Sequence, residues 1–420
     1  MSSMTSHVIA IKEMMEGAEA YVTKECCIYK VPSHIRRLNE DAYTPKVVSI
    51  GPFHHNTNPL LHSMERHKLI YCKAFLERTE TNWDKWIHYI EEVQLEFRSC
   101  YSDTLEFSKE ELVKIIFVDS GFILELFWRH HIDDESTDDI FLSKPWLDNA
   151  IRYDLLLLEN QIPFFVLKSL FNLSFNCDNN DIPSFIELSF EYFSYFNGSN
   201  MICDNISSIR HFTDLIRTFH LHHPQKKRPA RTGRLVNHLP SATELSEAGV
   251  KFKVDTQSSC LLDLRFSGGV LEIPQLKVED WTTELLFRNM VALEQCHYPN
   301  ESYITDYVLV LDFLINTSKD VDLLVRKRVL VSWLGDSESV ALLFNGLWKN
   351  IVQTSFNSHY FQLCKDLNAW YRNPWRNLKA TLRSDYCKSP WQTAASVAGI
   401  FLIVLTLIQT VCSILQVIHP

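Results

Sequence analysis

The run TAASVAGIFLIVLTLIQTVCSILQVI, from Thr393 to Ile418, holds 26 residues without a charge. No other stretch narrows the architecture of this chain as far. As an α-helix it would be about 39 Å long at 1.5 Å per residue, and a bilayer core is only about 30 Å thick. Fourteen of the 26 are Val, Ile, Leu or Phe, each favourable by roughly 0.3–0.6 kcal/mol on insertion scales. Gln409 and Gln416 oppose insertion, whereas Thr406 and Thr410 can bond their own helix carbonyls. The pattern predicts a transmembrane anchor over residues 391–418 rather than the central helix of a soluble core. Ala395 and Gly399 form a small-xxx-small pair that permits close helix packing, which leaves a homo-oligomer open.

Arg372, Arg376, Lys379, Arg383 and Lys388 precede the span, and only His419 and Pro420 follow it. Positive charge favours the cytosolic side, so the body is expected in the cytosol, in a tail-anchored layout. The first 24 residues lack a basic n-region and an unbroken apolar core, and read as a leader rather than a signal peptide. Eleven cysteines are scattered without a C-x-x-C pair, the habit of free thiols in a reducing compartment. Sequons at Asn172, Asn197, Asn205, Asn300 and Asn316 are then chance matches that can report topology. A net charge of −10 argues against a nucleic-acid partner.

The body divides into a helical part over 25–221, a basic exposed linker over 222–240 and a hairpin-plus-helix part over 241–389. Residues 64–79 and 111–131 carry helical periodicity, the second as one helix or two meeting near Gly121. Residues 152–171, RYDLLLLENQIPFFVLKSLF, read as a core helix interrupted or kinked at Pro163. The acidic DDESTDD at 133–139 lacks the glycine and final Glu of a calcium loop and reads as solvated. The linker carries Lys226, Lys227, Arg228, Arg231 and Arg234, suited to anionic lipid or an acidic partner if it binds anything. Ser241 and Glu244 predict a capping box, with Gly249 as the helix stop. The short alternating runs VKFKV, LLDLRF and VLEIPQL follow, the last two joined at Gly268-Gly269, and predict a small antiparallel sheet. Helical patterns resume at 281–296, 303–316, 320–334, 338–355 and 360–373. The fold class expected is therefore mainly α with a small antiparallel β insertion and one C-terminal transmembrane helix.

No P-loop, G-x-S-x-G, H-E-x-x-H or G-x-G-x-x-G motif is present, and glycine is scarce at 11 residues. The histidine pairs His54-His55, His130-His131 and His222-His223 invite a metal. His62 and His67 miss the i, i+4 spacing that puts two imidazoles on one helix face. His220 and His223 lie beside a cationic run that would repel an ion. Asp119, Glu125, Asp154 and Glu159 sit in apolar segments, where acids are costly unless paired. Arg129 follows Glu125 by four residues and Arg152 neighbours Asp154, so structural ion pairs are favoured over acid–base catalysis. No catalytic residue, cofactor or metal ligand is assigned. The stretch SIGPFHH is expected as a turn fixed by Pro52, with Phe53 plugging the core and His54 and His55 bonding backbone groups.

CCIYKVPSHIRRLNEDAYTPKVVSIGPFHH, at 26–55, resembles the opening motif of the plant family known as domain of unknown function 247. MERHKLIYCKAFLER, VDSGFILELF, LLLLENQIPFFVL, SATELSEAGVKFK, VLEIPQLKVED, LFRNMVALEQC and SDYCKSPWQTAAS continue the likeness in order, over about residues 25–418. The family usually has Tyr where this chain has Phe53. The resemblance implies a plant origin, membrane association and no assigned enzymatic activity, with some members implicated in recognition such as pollen-side self-incompatibility in grasses. Three functions are carried forward: a membrane-tethered protein with an unidentified protein partner, an enzyme using the buried carboxylates and histidines, and a soluble regulator whose last helix packs in the core.

Overall fold

The computed structural model describes residue 12 and residues 24–132, 144–175, 182–203, 209–223, 227–373 and 390–418. The expected acidic loop at 133–139 and nearly all of the leader lie outside these. The body begins with α1 (Ser33–Arg36), α2 (His62–Arg78), α3 (Trp83–Glu92) and α4 (Gln94–Ser99). Next come α5 (Lys109–His131), α6 (Pro145–Asp154), α7 (Phe164–Ser174), α8 (Phe185–Tyr192) and α9 (Phe212–Leu221).

The central element is α5, which starts from a Ser108–Glu111 capping box and buries its middle from Asp119 to Phe127. It runs through Gly121 as one helix. The glycine serves packing instead: a methyl there would stand 2.4 Å from Cys72 Sγ on α2, so its absence lets the two helices close up. Phe122, Phe75 and Trp86 from α5, α2 and α3 are fully buried together.

The segment 152–171 is not one helix with a kink. Helix α6 stops at Asp154, a buried non-helical link covers 155–163, and α7 starts at Phe164. A buried link must find partners for its peptide groups. Gln161 Nε2 donates to the Leu155 and Leu157 carbonyls at 2.6 and 2.8 Å, and Asn160 Nδ2 to the Asp154 carbonyl at 2.9 Å.

In the second part, α10 (Ala242–Glu247) has its Ser241–Glu244 box and ends at Gly249, whose φ of +87° suits a residue without Cβ. Strands β2 (Lys251–Asp255), β3 (Arg265–Ser267) and β4 (Val270–Pro274) form one sheet. β3 and β4 make the expected hairpin across Gly268-Gly269, and β2 joins β4 in parallel, so this sheet is mixed. Two smaller pairs complete the strands. The first is β1 (Arg231–Thr232) with β7 (Phe356–Asn357), antiparallel; the second is β5 (Leu276–Val278) with β6 (Leu330–Ser332), parallel. Around them stand α11 (Asp280–Cys296), α12 (Tyr303–Leu314), α13 (Ser318–Arg326), α14 (Ser337–Leu347) and α15 (Ser358–Tyr371). The helices expected over 320–334 and 338–355 are shorter than that, because Leu330–Ser332 pairs as a strand and α14 ends at Leu347. The main cluster of buried residues runs from Cys27 to Leu367 through both parts, and a smaller one gathers Val31, Ile35, Tyr43, Leu158 and Leu293. The chain is mainly helical with short strands, and α16 (Pro390–Ile418) is its C-terminal apolar helix.

Candidate functional site

The turn at SIGPFHH lies against the link 155–163. Gly51 takes φ +72°, and a methyl there would fall 2.4 Å from the Gln161 carbonyl oxygen, so the backbones meet as closely as atoms allow. The Gly51 and Ile50 amides donate to Asp119 Oδ2 at 2.8 Å and Asn160 Oδ1 at 2.7 Å. Phe53 packs edge-on against Tyr101 at 5.1 Å between centroids, which fits the expected plug. The histidines behave differently from expectation. His54 Nε2 lies 3.2 Å from Glu159 Oε2 but off the line of a hydrogen bond, and His55 sets its edge against Phe107. Neither ring bonds a backbone group among the described residues.

The four candidate acids do not converge on one site; each is held by its own partners where it stands. Asp119 takes Lys68 Nζ at 2.6 Å as well as the Gly51 amide, and both charged side chains are fully buried. Burial pushes the Asp119 pKa up, against the pull of Lys68. Glu125 is held by Arg129 at 2.7 Å, as the spacing predicted, and also by Arg78 at 2.9 Å. Glu159 accepts from the Val31 amide at 2.8 Å and from Arg36 at 2.6 Å. Burial alone would raise its pKa, but His54, the Val31 amide and Arg36 outweigh it and leave the value below the ordinary one. Asp154 has no arginine partner among the described residues: Arg152 bonds Asp148 four residues back, at 2.8 Å. The Asp154 carboxylate instead gathers the amides of Lys46, Val47 and Val48 at 2.7–2.9 Å. Burial still wins there and pushes its pKa up to about 6.

Sequence reasoning missed the second set of buried charges. Glu294, fully buried, takes Arg217 at 3.0 Å together with the Thr305 amide and hydroxyl, each at 2.7 Å. Asp306 on α12 receives Arg231, Gln353 and the Asn357 amide, the last at 2.9 Å. Arg231 also donates to the Ser355 carbonyl at 2.7 Å and to Ser302 Oγ at 2.8 Å. Burial raises the Asp306 pKa to about 7 despite this arginine. The segment expected as a free basic linker is thus pinned at Arg231, and Arg228 meets Glu301 at 3.0 Å. Lys227 and Arg234 remain exposed.

Among the described residues, no group of three or more His, Cys, Asp or Glu is placed to hold a metal ion. His131 pairs with Glu191 at 2.7 Å, and His220 Nδ1 with the Ile216 carbonyl at 2.9 Å. A cleft of about 570 Å³ opens between the two parts of the body, lined by Tyr153, Tyr195, Phe219, Glu279, Thr283 and Phe287. Tyr195 donates its hydroxyl to Glu279 across it. Helix α16 offers the opposite surface. Its window Ala398–Leu415 is long and apolar enough to cross a membrane, and none of it is buried against the body.

Residues 28–405 match DUF247, described as a plant protein of unknown function. The chain is 29% identical to the UPF0481 protein At3g47200 of Arabidopsis thaliana, over 96% of its own length and 90% of the relative's. It is 24% identical to the putative UPF0481 protein At3g02645 of the same plant, over 91% and 89% of the two lengths. No solved structure matches it.

Proposed function

From the premise that the chain belongs to DUF247, a plant family of unknown function, we propose a membrane-anchored protein whose body binds other proteins from the cytosolic side. The observation that carries this reading is α16. Its Ile400, Phe401, Leu402 and Ile403 are all exposed, part of an apolar face running on to Leu415. Water-soluble surfaces rarely leave so long an apolar stretch uncovered. Thr406, Thr410 and Ser413 turn their hydroxyls onto their own helix carbonyls at 2.7–2.9 Å, which suits hydrocarbon surroundings. A soluble regulator would need this helix packed in a core, and Ala398–Leu415 has no such packing. The five basic residues from Arg372 to Lys388 support the cytosolic side for the body.

The body acts in this reading by binding, not catalysis. Each candidate acid already accepts at both carboxylate oxygens from amides or cations of the fold. The cleft between the two parts offers a partner a concave, aromatic-lined surface. The test is alkaline carbonate extraction of plant membranes carrying either the full chain or a chain ending before Trp391, with a proximity-labelling enzyme fused before Met1. The full chain stays in the pellet and labels cytosolic proteins that the shortened chain loses. A full chain released by carbonate would defeat the proposal.

A further inference from the structure

We infer that α16 pairs in the bilayer with α16 of a second copy of this chain, through a face centred on Gln409. The inference rests on the membrane reading above. Thr406, Thr410 and Ser413 have satisfied their hydroxyls on the carbonyls of Leu402, Thr406 and Gln409, so they ask nothing of a neighbour. Gln409 is different. A glutamine carboxamide has two N–H donors and a carbonyl acceptor, and this one is exposed on the helix with no hydrogen-bond partner among the described residues.

Depth makes the amide matter. Gln409 stands six residues inside the Leu415 end of the apolar window and eleven from Ala398. Six residues are about 9 Å of helix, more than a glutamine side chain spans to reach a headgroup. Gln416 lies past the window, near the Ile418 end of α16. An amide held in hydrocarbon without a partner is costly, and a neighbouring helix can supply what water would.

The occupant follows from symmetry. Identical chains insert in the same orientation, so a second copy brings its own Gln409 to the same depth. The carboxamide is self-complementary: across a two-fold axis each N–H donates to the other's carbonyl. Leu402, Thr406, Gln409 and Ser413 follow one another at steps of four, three and four residues, the spacing of a single helix face. Small exposed groups, Thr406 and Ser413, flank the amide on that face and permit close approach.

The test uses the full-length chain, labelled with donor and acceptor fluorophores at its N-terminus and reconstituted in phosphatidylcholine vesicles over a dilution series in lipid. The wild type shows energy transfer that falls with dilution as a dimer dissociates. Gln409→Leu shifts the midpoint about tenfold toward monomer, Gln409→Asn keeps most of the association, and Gln416→Leu changes it less than about threefold. A Gln409→Leu midpoint equal to the wild type's overturns the inference, since association would then reside in the body. A wild type that is monomeric throughout yet resists carbonate also overturns it and leaves the anchor standing, the face then fitting another protein's helix. A wild type that fails to insert removes both.

Discussion

Glu159 and Gln409 are both polar groups in apolar surroundings, and their circumstances differ in every other respect. Around Glu159 the body supplies an amide, a guanidinium and a nearby imidazole, all from the opening 26–55 stretch. Around Gln409 the described residues supply no partner, and the exposed Thr406 and Ser413 beside it on the same helix face bond their own helix carbonyls. The body closes on itself at its charged groups; α16 leaves its needs to whatever surrounds it. Buried charge in this chain thus marks where the fold is fastened, and uncovered apolar surface marks where the molecule meets something else.

The contrast can be attacked from either end. The largest effect is expected from placing charge on α16. Ile403→Arg with Leu407→Arg adds roughly 5–7 kcal/mol to the insertion of the helix and should move the chain from the carbonate-resistant to the soluble fraction. In the body, Lys68→Met strands the buried Asp119 carboxylate and should cost about 3–5 kcal/mol, read by urea denaturation in detergent. Adding Asp119→Leu to it should recover part of that loss, because the pair is replaced rather than broken while the Gly51 amide loses its acceptor. Gly51→Ala forces a methyl toward the Gln161 carbonyl at a positive φ and should cost about 2–4 kcal/mol. Its membrane retention should be unchanged.

A smaller effect concerns pH. Asp154 and Asp306 have folded-state pKa values raised to about 6 and about 7, above the ordinary 3.8. The folded chain therefore binds more protons than the unfolded one between those limits, and these two groups make stability fall as pH rises from about 4 to about 7. Asp154→Asn should flatten the part of that slope near pH 6 in urea titrations run across the range. The smallest change belongs to the surface: Lys253→Ala, on an exposed position of β2, should stay within about 0.5 kcal/mol of wild type.

What could be read from the chain alone was local. The Ser241–Glu244 capping box, the Gly268-Gly269 hairpin, the α2 and α5 periodicities and the apolar tail depend on residues a few positions apart, and each appears in the structure. The link 155–163 reads as helix because Leu155–Leu158 is an unbroken apolar run, whereas the Asn160 and Gln161 side chains after it bond backbone far away in the chain. Asp154 was given to Arg152 on sequence proximity, although a helix brings i and i+4 together, which is where Asp148 stands. Lys68, a lone cation in its sequence, reads as solvent-exposed, and Arg231 reads with its basic neighbours as part of an exposed linker. A signal existed for Lys68, which shares a helix face with the buried Met64, Tyr71, Cys72 and Phe75. For Arg231 there was none, since Asp306 is 75 residues away. The parallel seat of β2 beside β4 was hidden for the same reason.

The claim that joins these observations is that α16 crosses a membrane with the body in the cytosol. Protease protection on sealed plant microsomes tests it most directly, combined with glycan mapping at the exposed sequons Asn300 and Asn316. A membrane-spanning α16 with a cytosolic body gives a body digested fully by protease added outside, a short protected fragment containing Ala398–Leu415, and no sugar on either asparagine. A protected body carrying glycans at Asn300 or Asn316 would contradict it.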